Sequence, residues 1–239
     1  MADQTSQYNS PDFKIKLPEA DQLGETIPVR VGAMAPDFEA TDLEGKAIRL
    51  RELRAKGHVV LMMGSITSPM CAIAIPGMNR LHAELGTKGV GIYLVYVKES
   101  HPGENFPHHT SFEQKVKHAQ QLKSLERVEF PIIVDNLEGS IHRSYGPWPT
   151  SVFVIHRDGR LFFRSTIADT REVGEYLKDL LEADKLSVNP DRVPHLSYSE
   201  RLIEHDPDQE IHRRVYSRAG QKAFEDFWKL FPALRGRWP

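Results

Sequence analysis

The stretch Gly64-Ser65-Ile66-Thr67-Ser68-Pro69-Met70-Cys71 carries the only cysteine of the chain. A sulfur at the junction of an apolar run and a helix is well placed for redox chemistry, because a helix N-terminus favours the thiolate. Ser68 stands three residues earlier. Its hydroxyl could attack only with a general base beside it, since an alkoxide is otherwise too basic to form. Further on, Tyr96, Glu99 and His101 fall close together, a set of side chains able to move protons. Each group also has a plain reading. Cys71 could be a small buried core residue, and Glu99 with His101 an ordinary polar loop.

A lone cysteine forbids an internal disulfide and a Cys-rich zinc site. His101, His108 and His109 lack a partner ligand at helical spacing, so no metal and no other cofactor is expected. One thiol needs an external thiol reductant to complete a redox cycle. Met62, Met63, Met70 and Met78 read as core packing.

The elements that must position these groups follow from hydropathy. Residues 58–64 are a continuous apolar run suited to a strand covered on both faces. Pro69 suits the first turn of a helix over 69–86, with a kink expected at Pro76. Residues 90–97 form a second buried strand. A loop follows, then an amphipathic helix over 111–126 with Phe112, Val116, Ala119 and Leu122 at helical spacing. A strand at 130–135, a short helix ending near Tyr145, a hairpin turning at Asp158-Gly159 and a closing helix complete the domain. This order predicts an α/β domain whose mixed sheet is covered by helices on both faces.

Set on those elements, Ser68-Pro69-Met70-Cys71 resembles the thioredoxin corner that carries Cys-x-x-Cys, and Pro76 the proline of its helix. Trp148-Pro149-Thr150 resembles the segment whose proline is cis and faces the active site, a role the likeness gives to Pro149. Within that superfamily, Gly64-Ser65-Ile66-Thr67-Ser68-Pro69 is similar to the iodothyronine deiodinase signature, with Ser68 at the selenocysteine position. Val95-Tyr96-Val97-Lys98-Glu99-Ser100-His101-Pro102 is similar to a second deiodinase stretch. That likeness implies proton transfer and substrate contact for Thr67, Tyr96, Glu99 and His101, and a substrate groove lined by Ser65, Tyr145, Trp148 and Pro149. Residues 31–46 share a looser likeness with redoxins of the AhpC/TSA type. A peroxiredoxin-like register, Gly64-x-x-x-Ser68-x-x-Cys71, would instead make Cys71 a peroxidatic thiol passing through a sulfenic acid. A third alternative is a non-catalytic module that keeps the groove to hold a ligand or partner.

The chain has 239 residues, 27% of them charged, and a formal net charge of −2. That balance predicts no nucleic-acid or membrane partner. The expected partners are a small-molecule substrate or peroxide and a thiol reductant. No secretion signal is read at the start and no apolar run reaches the ~18 residues of a membrane span. With one cysteine, a cytoplasmic location is expected. The domain reading is a polar arm over 1–30, a thioredoxin-like domain over 31–184 and a helical extension over 185–239. In that extension Phe224, Phe227, Trp228 and Phe231 form an apolar stripe that would cover the domain's own surface or pair in a homodimer.

Overall fold

The structure is a computed structural model that describes residues 5, 8–13, 28–146, 148, 150–185 and 208–232. Seven strands form one sheet in the order β2-β1-β5-β4-β3-β6-β7. They are β1 (Glu39–Asp42), β2 (Ala47–Arg49), β3 (His58–Gly64), β4 (Val90–Tyr96), β5 (Ile132–Val134), β6 (Val152–Ile155) and β7 (Leu161–Ser165). β3, β4 and β5 run parallel, while β6 is antiparallel to β3 and β1 to β5. The expected mixed sheet is present.

β3 is buried at all seven positions, as its unbroken apolar run requires of a strand covered on both faces. Its side chains alternate between two cores. Val60 and Met62 enter one with Cys71, Ile75 and Tyr96, and Val59, Leu61 and Met63 enter the other with Ile141 and Tyr145. Helices α2 (Pro69–Leu85), α3 (Phe112–Glu126) and α5 (Thr170–Lys185) supply the first core. Helices α1 (Leu50–Arg54) and α4 (Ser140–Tyr145) supply the second.

α2 starts where the sequence says it should. Ser68 is its N-cap, accepting the Cys71 main-chain N–H at 3.2 Å, and Pro69 follows at the first helical position, where a missing N–H costs nothing. The helix runs on through Pro76 to Leu85. The hairpin turns at Gly159, whose φ of 102° favours glycine.

Two further helices, α6 (Gln209–Ala219) and α7 (Gln221–Leu230), dock back on the domain. The Asn105 N–H reaches the Ala219 carbonyl at 3.0 Å. Gly103 makes the approach possible, because a Cβ there would lie 2.3 Å from the Ala219 oxygen. Of the apolar stripe, Phe227 is buried with Phe13, Tyr216 and Ala223, and Phe224, Trp228 and Phe231 pack against them. From the N-terminal segment, Tyr8 and Phe13 are both buried. No helix among the described residues is long and apolar enough to cross a membrane.

Candidate functional site

Two loops meet at the corner between β3 and α2. The Ser65 hydroxyl accepts the Ser100 N–H at 3.2 Å, and the Thr67 hydroxyl accepts the His101 N–H at 3.1 Å. The Tyr96 hydroxyl accepts the Ile66 N–H at 3.3 Å. The sequence therefore brings Ser65, Thr67, Tyr96, Glu99 and His101 together as expected, on the α2 side of the sheet.

Glu99 is the centre. Its Oε2 accepts the Thr67 hydroxyl at 2.6 Å and the Thr67 N–H at 3.3 Å. Its Oε1 accepts the Tyr96 hydroxyl at 2.5 Å and faces His109 Nε2 and His118 Nδ1, each at 3.0 Å. Burial alone would raise this carboxyl's pKa, but the hydrogen bonds from His109 and His118 outweigh it and hold the group below the usual carboxylate range. A buried carboxylate fed by several donors is thereby kept ionised and fixed in place between the two loops.

His118 is the member the sequence reading missed: spacing along the chain shows no partner ligand for His109, while the fold brings His118 and Glu99 to it. Glu99, His109 and His118 place one ligand atom each within 4.8 Å of the others. The donor set suits a metal of the zinc or iron class. Both Glu99 oxygens are already engaged by protein donors, while the buried Nδ1 of His109 has no hydrogen-bond partner among the described residues.

The sulfur departs from expectation. Cys71 is 1% exposed. Burial, followed by the charge of Glu126, pushes its thiol up to about 12, opposite to the acidification a redox corner is expected to give. Gly64 is the seat of this sulfur: a Cβ there would lie 2.4 Å from Cys71 Sγ. The Ser68 hydroxyl, committed as the helix cap, is buried as well.

His101 is buried under the extension. Its ring centroid lies 3.9 Å from that of Phe13, and its Nε2 faces the Tyr216 hydroxyl at 3.5 Å. Burial, then the charge of His212, lowers its pKa to about 3, so the ring is neutral at pH 7. The cover is fastened by Arg218, which donates to the Ile66 carbonyl at 3.1 Å and pairs with Glu126 at 2.8 Å.

Tyr145 corrects the groove expectation. It belongs to the opposite core, and its hydroxyl donates to the Pro36 carbonyl at 2.7 Å. It shares with Trp148, Ser151 and Phe153 a cavity of about 10 Å³, room for about one water. Pro149, with its expected cis bond, lies outside the described residues.

Residues 31–164 match the family model of the AhpC/TSA family. The chain is 32% identical over 155 residues to the thiol-disulfide oxidoreductase ResA of Bacillus thuringiensis subsp. konkukian, covering 64% of this chain and 79% of that protein. It is 33% identical over 143 residues to ResA of Geobacillus thermodenitrificans, covering 59% and 72%. Among solved structures, a candidate protein disulfide isomerase from Bacteroides thetaiotaomicron matches with a TM-score of 0.55 at 17% identity, over 68% of this chain and 97% of that one. The thioredoxin domain of a thiol-disulfide oxidoreductase from Bacteroides vulgatus matches with a TM-score of 0.50 at 13% identity, over 64% and 99%. These structural likenesses show a thioredoxin-like fold.

Proposed function

Because the chain belongs to the AhpC/TSA family, redoxins of the thioredoxin superfamily, we propose that it is a single-thiol oxidoreductase whose site is held closed by its C-terminal helices. The observation that carries this reading is the Glu99 network, which ties Thr67 at the α2 corner to Tyr96, His109 and His118. Such a network has use in a site that moves protons, and Cys71, packed in the same core as Tyr96, is the chain's one thiol.

In the reaction, the Cys71 sulfur attacks one sulfur of a substrate disulfide. A new S–S bond forms, the old one breaks, and the leaving sulfur takes up the proton that Cys71 gives away. An external thiol then attacks the mixed disulfide, restoring Cys71–SH and leaving with the substrate half in a new disulfide. Tyr96 and Glu99 handle the proton, Thr67 holds Glu99, and His101 contacts substrate as in the deiodinase likeness. A disulfide substrate is favoured by the ResA relatives; iodo-aromatics and peroxide are the deiodinase-like and peroxiredoxin-like options. A reducing compartment such as the cytoplasm would supply the thiol.

A second reading, a binding module without catalysis, is favoured by one observation. Both possible nucleophiles are occupied, Ser68 as a cap and Cys71 as a sealed thiol. Turnover of a disulfide, a peroxide and an iodophenol, each with an external thiol, separates the two. The catalytic reading expects Cys71-dependent turnover of one of them, rising when Arg218→Ala loosens the cover. Equal background rates in wild type, Arg218→Ala and Cys71→Ser would leave the binding module.

A further inference from the structure

A second cluster of ligating side chains lies at the other end of β3 from Ser68. His58 opens β3, His156 follows β6, and Asp184 is the penultimate residue of α5. β6 pairs with β3 there, Val59 against Ile155, so three elements separated in sequence converge. His58 Nε2 lies 2.8 Å from Asp184 Oδ2, and His156 Nε2 lies 3.8 Å from Asp184 Oδ1. One ligand atom from each lies within 4.8 Å of the other two. We propose that His58, His156 and Asp184 form a binding site for a divalent transition-metal ion of the zinc class.

Three features carry the assignment. Each carboxylate oxygen faces a different imidazole nitrogen, whereas a simple histidine–aspartate pair needs only one. Two imidazoles and one carboxylate are the donor set of zinc, cobalt and nickel rather than of magnesium or calcium, which take oxygen ligands. The third feature is the support behind His156. Its Nδ1 is 3.0 Å from Asp158 Oδ1 and its ring stacks on Phe162 at 4.4 Å. A carboxylate behind a ligating histidine fixes ring and tautomer in metal sites generally. The Asp158 N–H also donates to Nδ1, at 3.3 Å, a bond that needs the other tautomer, so a metal at Nε2 has to exchange it for an Nδ1–H bond to Asp158 Oδ1. His58 is buried, while His156 and Asp184 are partly exposed, so an ion can reach the cluster from solvent.

Arg157 is the competitor. Its Nη2 lies 3.1 Å from Asp184 Oδ2, with the side chain mostly in solvent. It supplies a positive charge to Asp184 when no cation is bound and must yield when one is. The ion would fasten the end of α5 to β3 and β6, a role separate from the Glu99 network and independent of the proposed oxidoreductase activity.

Titration of the tag-free full chain with Zn²⁺ by calorimetry, and with Co²⁺ by visible absorption, tests this. One equivalent should bind, with affinity falling by more than about 10–100-fold, the loss that removing even an outer-shell partner causes, in His156→Ala and in Asp184→Asn. Arg157→Ala should bind more tightly than wild type, a gain no purely structural role of Asp184 provides. Zn²⁺ should raise the thermal midpoint of wild type in proportion to the logarithm of its concentration, and raise that of Asp184→Asn only at correspondingly higher concentration. Circular dichroism of both variants checks that they are folded. Absence of binding at millimolar ion would overturn the proposal. So would binding that survives both substitutions but is lost in His118→Gln, which would assign the ion to Glu99, His109 and His118.

Discussion

The Ser68 hydroxyl accepts the Cys71 main-chain N–H at 3.2 Å, so the residue three before the cysteine serves the helix that carries the sulfur. A serine cap satisfies one of the four orphan N–H groups at a helix start and is worth about 1 kcal/mol. Ser68→Ala should lower unfolding free energy by about that amount in urea titration, while Ser68→Asp, which also caps, should lose less. If Ser68 were a nucleophile, Ser68→Asp would abolish turnover and leave stability aside.

Gly64 and Cys71 are coupled through space. A Cβ on residue 64 would lie 2.4 Å from Cys71 Sγ, so Gly64→Ala alone should destabilise by about 1–3 kcal/mol through overpacking. Adding Cys71→Ala removes the sulfur and should recover part of that loss. A double-mutant cycle in urea should show a coupling of at least about 0.5 kcal/mol. Strict additivity would mean that the glycine is there for another reason.

That coupling was partly legible in the sequence. Cys71, Ala74, Ile75 and Met78 lie at helical spacing on the stripe that α2 buries, which argues for a sealed sulfur. The redox likeness of the corner argued the other way, because motif spacing reports where a sulfur sits and not what covers it. β3 and the hairpin were readable from an unbroken apolar run and a glycine turn, both local signals. Tyr96 and Glu99 were readable from their motif. His118 was hidden because a polar residue on an amphipathic helix usually faces water. The available signal was its place on one face with Lys115, Ala119 and Leu122, all buried. The cover over His101 depends on a docking between distant segments that no periodicity encodes.

Acid should loosen the protein before its carboxylates titrate. Burial holds His101 and His142 neutral, each lowered to about 3. His142 is committed as a neutral ring, facing the Tyr8 hydroxyl through Nδ1 and the Trp148 carbonyl through Nε2. Below pH ~6.5 the unfolded chain binds protons that the native state refuses. Stability is therefore full above that pH and falls as pH drops toward 3, by about 1.4 kcal/mol per unit for each ring. His101→Phe, which suits the aromatic surroundings, should flatten the slope between pH 6.5 and 4.5 by one such increment. An unchanged slope would show that His101 is already protonated in the native state.

Lys115 gives the opposite end of the pH scale a distinct signature. Its side chain is buried, its Nζ donates to the Asn136 carbonyl at 2.9 Å, and the Tyr8 ring lies 5.7 Å away. Burial lowers its pKa to about 8, against an attraction from Asp135 that acts to raise it. Below pH 8 both states carry the proton and the full cost of the buried charge is present. Between pH 8 and about 10.5 the native state releases the proton while the unfolded state keeps it, so stability rises with pH. Over that window the gain is about 3 kcal/mol. Raised tyrosine and cysteine values pull the other way in the same range, so the comparison must be between wild type and Lys115→Met at each pH. The difference in unfolding free energy, wild type minus variant, should climb from pH 8 to 10.5 and then level. A flat difference would mean that water or Asp135 keeps the ammonium solvated in place, and that the α3 face carrying His118 is wetter than its packing implies.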